Sequence, residues 1–140
     1  RGLEDILFTS KVNPGVLLKA LRTNCGSAPF FEHYMDDVER WSHLHLKPGG
    51  SWLEAALAST VMASGWLGQP HPSLSPSYLI VEPRQDWRRR DLWREASPVH
   101  YPQVFEDRLG FVGGRSILDV VFHIGPEAAS LPSRHGDSPA

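Results

Sequence analysis

The residues best suited to chemistry lie near the C-terminal end of the sequence, in the segment SILDVVFHIG. Asp119 and His123 are four residues apart, so on a helix they lie on the same side, one turn from each other. A carboxylate in that position orients an imidazole, and the imidazole then acts as a general base. Two structural interpretations remain open, in which Asp119 forms a capping box with Ser116 and His123 is a hydrogen-bonded core residue.

The extended segment HYPQVF, which precedes this helix, offers groups for binding a polar substrate. Tyr101 and Gln103 are two residues apart, so in an extended chain their side chains point to the same face. A phenol and an amide both form hydrogen bonds with a sugar or with an acyl amide. We therefore predict that these two residues bind the substrate on which His123 acts.

A cluster of arginines between residues 84 and 94 is the strongest charge feature of the sequence. Guanidinium groups bind phosphate oxygens in a bidentate manner, so Arg88, Arg90 and Arg94 are candidates for binding a nucleotide-sugar or another phosphorylated substrate. The alternative is a solvated helix in which the acidic residues of the same stretch neutralise the arginines. Both interpretations remain open.

Two motifs are similar to metal sites, but their spacing argues against metal binding. Residues 34–37 read YMDD, the sequence of the hairpin in reverse transcriptases whose adjacent aspartates hold magnesium. The apolar residues around it are three and four apart, which predicts a helix with Asp36 and Asp37 on its solvated side. His43 and His45 are two apart and do not share a helix face, and the one cysteine makes no zinc pattern. The sequence therefore predicts no metal site.

Four helices that position these residues have recognisable start and stop signals. Asn13 followed by Pro14, and Ser51 with Glu54 three residues later, mark the beginnings of two helices, and glycines mark the ends. A short strand is predicted at residues 78–81 and another extended segment at 99–105. The fold class is therefore α+β and mostly helical, with about four helices packed against a small β element. The predicted helices span residues 13–26, 29–45, 51–68 and 116–125.

The composition indicates a globular domain rather than a disordered or membrane-spanning chain. The 140 residues are 41% hydrophobic and 21% charged. The formal net charge of −2 argues against binding to nucleic acid, and no apolar run reaches the roughly 20 residues that span a bilayer. We predict a single globular domain over residues 1–125, a flexible tail over 126–140 and a cytoplasmic location.

Three segments follow, in order and spacing, the pattern of one protein family. The chain has APFFEHY at residues 28–34, YPQVF at 101–105 followed by an aromatic at Phe111, and SILDVVFHIG at 116–125. This pattern resembles that of the WbqC-like family, which has an APYFxxY helix entry, a YxQ-type segment with a later aromatic, and a helix reading S-I-[IL]-D-L-L-F-N-x-G. The resemblance covers roughly residues 14–130, with His123 at the position of the family's asparagine.

The resemblance implies a role in the assembly of surface polysaccharides or natural products, in which an acyl or aminoacyl group is transferred to an amino-sugar or an amine. The substrate is then a small molecule, and neither a cofactor nor an oligomeric state is indicated. The family's N-terminal third has no counterpart in this sequence, so the chain is expected to be a fragment or a divergent member. The alternative is a non-catalytic binding or scaffolding domain of a biosynthetic complex.

Overall fold

The computed structural model describes residues 2–83 and 98–131 of the chain. Two 3-10 helices, Leu3–Asp5 and Gly125–Ser130, lie before the first and directly after the last α-helix of these ranges. Four of the α-helices match predicted helices, and α4 is a single turn outside them. Within the described ranges the five α-helices are α1 Pro14–Cys25, α2 Phe31–His45, α3 Trp52–Trp66, α4 Glu106–Leu109 and α5 Ile117–Ile124.

Helix α2 supplies the centre of the core, because its apolar residues recur every three and four positions. Phe31, Tyr34, Met35 and Val38 are buried, whereas Asp36 is exposed. A hairpin would instead bury every second residue. The prediction that the YMDD segment is helical is therefore confirmed.

Two predicted helix caps are present. The Asn13 side chain accepts a hydrogen bond from the amide of Gly15 at 2.9 Å, and the Ser51 hydroxyl accepts one from the amide of Glu54 at 3.2 Å. Each cap satisfies an amide that has no partner within its own helix. The sequence therefore defines where α1 and α3 begin.

Helix α5 packs against α2 and completes the core. Val121 and Phe122 are fully buried, and the rings of Phe31 and Phe122 meet edge to face with centroids 5.0 Å apart. The amide of Phe30 donates to the carbonyl of Phe122 at 2.9 Å and joins the start of α2 to α5. These contacts set the rotation of α5 about its axis, and so decide which of its side chains face away from the core.

Gly125 lets the chain turn sharply at the end of α5. Its φ of 56° lies in the left-handed region, and a Cβ at this position would lie 2.6 Å from the ring of Phe30. The 3-10 helix Gly125–Ser130 then packs back on α5 and buries Ala128. The first residues of the segment predicted to be a tail therefore contact the core, and residues 132–140 lie outside the described part of the chain.

The small β element is the part of the predicted fold that the structure does not confirm. Residues 78–81 form no strand, and the side chains of Tyr78 and Ile80 are exposed. The one β-bridge within residues 2–83 and 98–131 joins Leu7 to Ser51, where the N-terminal segment lies along the turn between α2 and α3. An apolar tetrapeptide becomes a strand only where other strands pair with it, and the described segments offer it none.

Helix α3 is mainly apolar, and most of its side chains are half-buried rather than fully buried. Ala55 is its one buried residue, and Trp52 at its start is 43% exposed. The Trp41 indole on α2 donates to the Ala55 carbonyl at 3.0 Å and holds the two helices together. Among the described residues, no helix has both the length and the apolar character needed to cross a bilayer.

Candidate functional site

Asp119 lies in the first turn of α5 but does not cap the helix. Ser116 is the N-cap residue, and its side chain makes no capping hydrogen bond. The Asp119 carboxylate instead accepts hydrogen bonds at Oδ2 from the Tyr101 hydroxyl at 2.6 Å and from the Gln103 side-chain amide at 3.2 Å. The capping-box interpretation of Asp119 is therefore wrong, because donors from the preceding extended segment bind the carboxylate.

Gln103 joins three parts of the chain through its side-chain amide. Its Nε2 donates to the Val112 carbonyl at 3.0 Å, and its Oε1 accepts from the Val112 amide at 2.9 Å. The same Nε2 lies 3.2 Å from the Tyr101 phenol oxygen and from Asp119 Oδ2. Tyr101 and Gln103 thus lie on one side of the extended segment, as their spacing predicts, and their polar groups are bound within the protein.

Tyr101 is buried beside the Asp119 carboxylate, and this changes its acidity. Burial, followed by the hydrogen bond to Asp119, raises the pKa of Tyr101 from 10.0 to about 12. The phenol therefore keeps its proton at neutral pH and donates it to Asp119 Oδ2. Both groups bound to Oδ2 are neutral, so the negative charge of Asp119 is solvated by them without being cancelled.

His123 lies one turn after Asp119, with its side chain 11% exposed. Its Nδ1 is 2.7 Å from the backbone carbonyl oxygen of Asp119 and 3.7 Å from Asp119 Oδ1. A carbonyl oxygen only accepts hydrogen bonds, so Nδ1 carries the ring proton and Nε2 is the basic nitrogen of the neutral ring. No other described residue forms a hydrogen bond with Nε2.

Asp119, His123 and Gln103 line a pocket of about 450 Å³, a volume typical of sites for small molecules, whereas Tyr101 is not part of its lining. The wall is built by the end of α1, the extended segment with α4, and the outer side of α5. Apolar side chains from Phe105, Leu109 and Val112 form one side. The polar lining residues are Asn24, Cys25, Gln103, Arg115, Asp119 and His123.

Cys25 is the one cysteine of the sequence and ends α1 at this pocket. Burial, followed by the negative charge of Asp119, raises the pKa of the Cys25 thiol above its ordinary value. No described residue forms a hydrogen bond with the thiol, and a nucleophilic cysteine needs a base that takes its proton. Cys25 is therefore a protonated, half-buried residue of the pocket wall.

The structure brings Asp119, His123, Tyr101 and Gln103 together, as predicted. The predicted substrate-binding residues Arg88, Arg90 and Arg94 lie outside the described residues. The arginine that does line the pocket is Arg115, which sequence reasoning missed. Its position carried no helical signal, since Arg115 lies before the extended N-cap residue Ser116 of α5. Asn24 and Cys25 carry no such signal, because α1 meets α5 only through tertiary packing.

A second aspartate, on α2, makes a similar contact with an aromatic side chain. Asp37 accepts hydrogen bonds from the Trp66 indole at 3.0 Å and from Arg40 at 3.1 Å. It is thus more than the solvated residue that the sequence indicated, although its side chain is 42% exposed. Within the described part of the chain, no group of three or more His, Cys, Asp or Glu side chains is arranged to hold a metal ion.

Comparison of the chain with family models, with curated proteins and with solved structures returns no match. The similarity to the WbqC-like family therefore stays a prediction from the motifs.

Proposed function

We propose that the pocket is the active site of a transferase that moves an acyl or aminoacyl group to the amine of a small molecule. His123 is the general base in this proposal. The observation that carries it is the 2.7 Å contact between His123 Nδ1 and the Asp119 carbonyl, which leaves Nε2 as the basic nitrogen of a residue that lines the pocket. General-base assistance of this kind is typically worth a factor of about 10² to 10⁴ in rate.

The reaction uses two polar groups of the α5 wall, His123 and Asp119. The acceptor amine attacks the carbonyl carbon of the acyl donor while Nε2 of His123 takes a proton from that amine. The new C–N bond forms, the bond to the leaving group breaks, and the proton passes from Nε2 to the leaving group. Asp119 Oδ1, 3.7 Å from Nδ1, stabilises the transient positive charge of the ring. Tyr101 and Gln103 are positioning residues, because they hold Oδ2.

Transfer in one step, without an enzyme-bound intermediate, fits the state of Cys25. A thiol that forms a thioester must first become a thiolate, and the raised pKa of Cys25 opposes this. The acyl group therefore passes directly from donor to acceptor.

The sequence motifs suggest the biological setting of this proposal. The resemblance to the WbqC-like family favours an amino-sugar or related amine as acceptor, in the biosynthesis of surface polysaccharides or natural products. The predicted cytoplasmic location suits a reaction that uses activated donors such as acyl thioesters or nucleotide-sugars.

The test is a transfer assay with p-nitrophenyl acetate as donor and glucosamine as acceptor, in which N-acetylated product is measured by mass spectrometry. We expect the rate with His123→Gln to be about 10²-fold or more below that of the unaltered chain. His33→Gln is the matched control, since His33 is exposed on α2 and lies outside the pocket. Cys25→Ser should keep the rate.

Two results would contradict the proposal. Equal transfer rates for the unaltered chain and His123→Gln would show that His123 is not the general base. Loss of transfer in Cys25→Ser, with capture of an acetyl group on Cys25 of the unaltered chain, would replace direct transfer with a covalent route.

A non-catalytic binding domain is the second candidate, and the surface of α3 favours it. This helix is mainly apolar and packs Met62 and Trp66 against the core, but Trp52 at its start is 43% exposed. Exposed large apolar side chains are found at contacts with other proteins. A thermal-shift screen with nucleotide-sugars and acyl donors separates the two candidates, because an enzyme is stabilised by its substrates whereas a scaffold is not.

A further inference from the structure

Two charged groups of opposite sign, Asp119 and Arg115, line the pocket. Asp119 Oδ2 is bound by Tyr101 and Gln103, but Oδ1 accepts no hydrogen bond from a described residue. Arg115 also lines the pocket and makes no ion pair with another described residue. Among the described residues, Asp119 Oδ1 therefore keeps its capacity to accept a hydrogen bond, although it lies 3.7 Å from His123 Nδ1, and the Arg115 guanidinium group has no acidic partner.

We infer that the pocket recognises a small molecule that carries both an amine and an anionic oxygen group. The ammonium form of the amine binds Asp119 Oδ1, and the carboxylate or phosphate binds Arg115. This inference rests on the proposed function: the bound ammonium first releases one proton to solvent, and the neutral amine then attacks the donor while His123 Nε2 takes a second proton from it. It narrows the substrate class to amino acids or phosphorylated amino-sugars.

The electrostatics of the wall support a ligand with two charges over one with a single charge. A simple anion that approaches Arg115 is repelled by Asp119 in the same pocket, and a simple amine that approaches Asp119 is repelled by Arg115. A molecule with both charges gains both attractions. A guanidinium group also suits carboxylate and phosphate geometry, because its donors form a planar fork.

The two charges reach the same wall from the two sides of the N-cap of α5. Asp119 and His123 lie within the helix, four residues and about one turn apart, so they share one side of it. Arg115 lies in the chain before the extended N-cap residue Ser116 and reaches the pocket from there. The anionic end of the ligand would then lie beside the N-terminal end of α5, and the reacting amine beside its first turn.

Cys25 makes the test direct, because the only thiol of the sequence is part of the pocket wall. The rate at which iodoacetamide alkylates Cys25 is measured with 6-aminohexanoate, hexanoate and hexylamine, and with glucosamine 6-phosphate, glucose 6-phosphate and glucosamine. We expect 6-aminohexanoate or glucosamine 6-phosphate to protect Cys25 at concentrations at least tenfold below those needed by the compounds that carry charge of only one sign. The two series distinguish a carboxylate from a phosphate.

Arg115→Gln should raise the protecting concentration of the compound that carries both charges at least tenfold, and it should lower that of the simple amine, because the repulsion by Arg115 is removed. Arg108→Gln is the matched control, since it removes an equal charge from an exposed residue outside the pocket. The inference is overturned if no compound protects Cys25, if the simple amines protect as well as the doubly charged compounds, or if Arg115→Gln has no effect. If ligand binding depends on Arg115 but the chain shows no transferase activity, the proposed function is contradicted and the inferred ligand class is not.

Discussion

Two aspartates of this protein, Asp37 on α2 and Asp119 on α5, each accept a hydrogen bond from an aromatic side chain distant in sequence. Trp66 donates to Asp37 at 3.0 Å, and Tyr101 donates to Asp119 at 2.6 Å. The surroundings differ. The Asp37 side chain is 42% exposed and pairs with Arg40, whereas that of Asp119 is 24% exposed and receives its hydrogen bonds from neutral groups.

The difference separates a structural contact from a candidate site. The ion pair with Arg40, on the same helix, offsets the charge of Asp37, so that little electrostatic attraction is left for a ligand. The hydrogen bond from Trp66 joins α2 to α3. The hydrogen bonds from neutral groups stabilise the charge of Asp119 without cancelling it. This charge lies 3.7 Å from His123 Nδ1 and contributes to the raised pKa of the Cys25 thiol. A carboxylate affects nearby chemistry when it keeps its charge in a partly buried place.

The largest expected effect comes from removing each charge while keeping the side-chain shape. Asp119→Asn should lower the free energy of unfolding by about 2 kcal/mol, because hydrogen bonds to a charged, partly buried acceptor are among the stronger ones. Asp37→Asn should lower it by less than about 1 kcal/mol, as is usual for exposed pairs. Urea unfolding at neutral pH measures both. Equal losses of unfolding free energy in the two variants would mean that the two aspartates contribute equally to stability.

A smaller effect concerns alkaline pH. Below pH 10 the Tyr101 phenol is protonated in both the folded and the unfolded chain, so its stabilising contribution is complete. Between pH 10 and about 12 the unfolded chain loses this proton first, because the pKa of Tyr101 is raised to about 12 only in the folded state. The free energy of unfolding should therefore fall across this interval, and less steeply in Tyr101→Phe.

The matched control for this pH series is Trp66→Phe, since an indole does not titrate in this range. Urea unfolding at pH 9 and at pH 11 should give this variant the same pH slope as the unaltered chain. If Tyr101→Phe also keeps the full slope, the phenol is not shielded as the structure indicates.

The smallest expected effect is on the reactivity of Cys25. The charge of Asp119 is the second cause, after burial, of the raised pKa of the thiol. Asp119→Asn should therefore lower this pKa and speed alkylation by iodoacetamide at pH 8 by a few-fold, because the thiolate is the reactive form. Asp37→Asn should leave the rate unchanged.

Tyr101→Phe separates charge from local opening in this experiment. It weakens the contacts of Asp119 but keeps its charge. If it speeds alkylation as much as Asp119→Asn does, the faster reaction reports exposure of Cys25 and the electrostatic explanation fails.

The sequence by itself determined the local structure of this protein. Helix starts at Asn13 and Ser51 were predictable because each cap satisfies a backbone amide within three residues. The helical nature of YMDD was predictable because burial on one side of a helix imposes three-and-four spacing. The same local logic placed Asp119 and His123 one turn apart, and Tyr101 and Gln103 on one side of an extended segment.

Only the tertiary structure decided which partners those side chains meet. Ser116 and Asp119 have the sequence of a capping box, but Tyr101 and Gln103, brought close by folding, bind the carboxylate instead. Residues 78–81 have the composition of a strand but find no strand beside them within the described ranges. Local patterns report the chain's own hydrogen bonds and faces, whereas competition between donors distant in sequence depends on distances that exist only after the helices have packed.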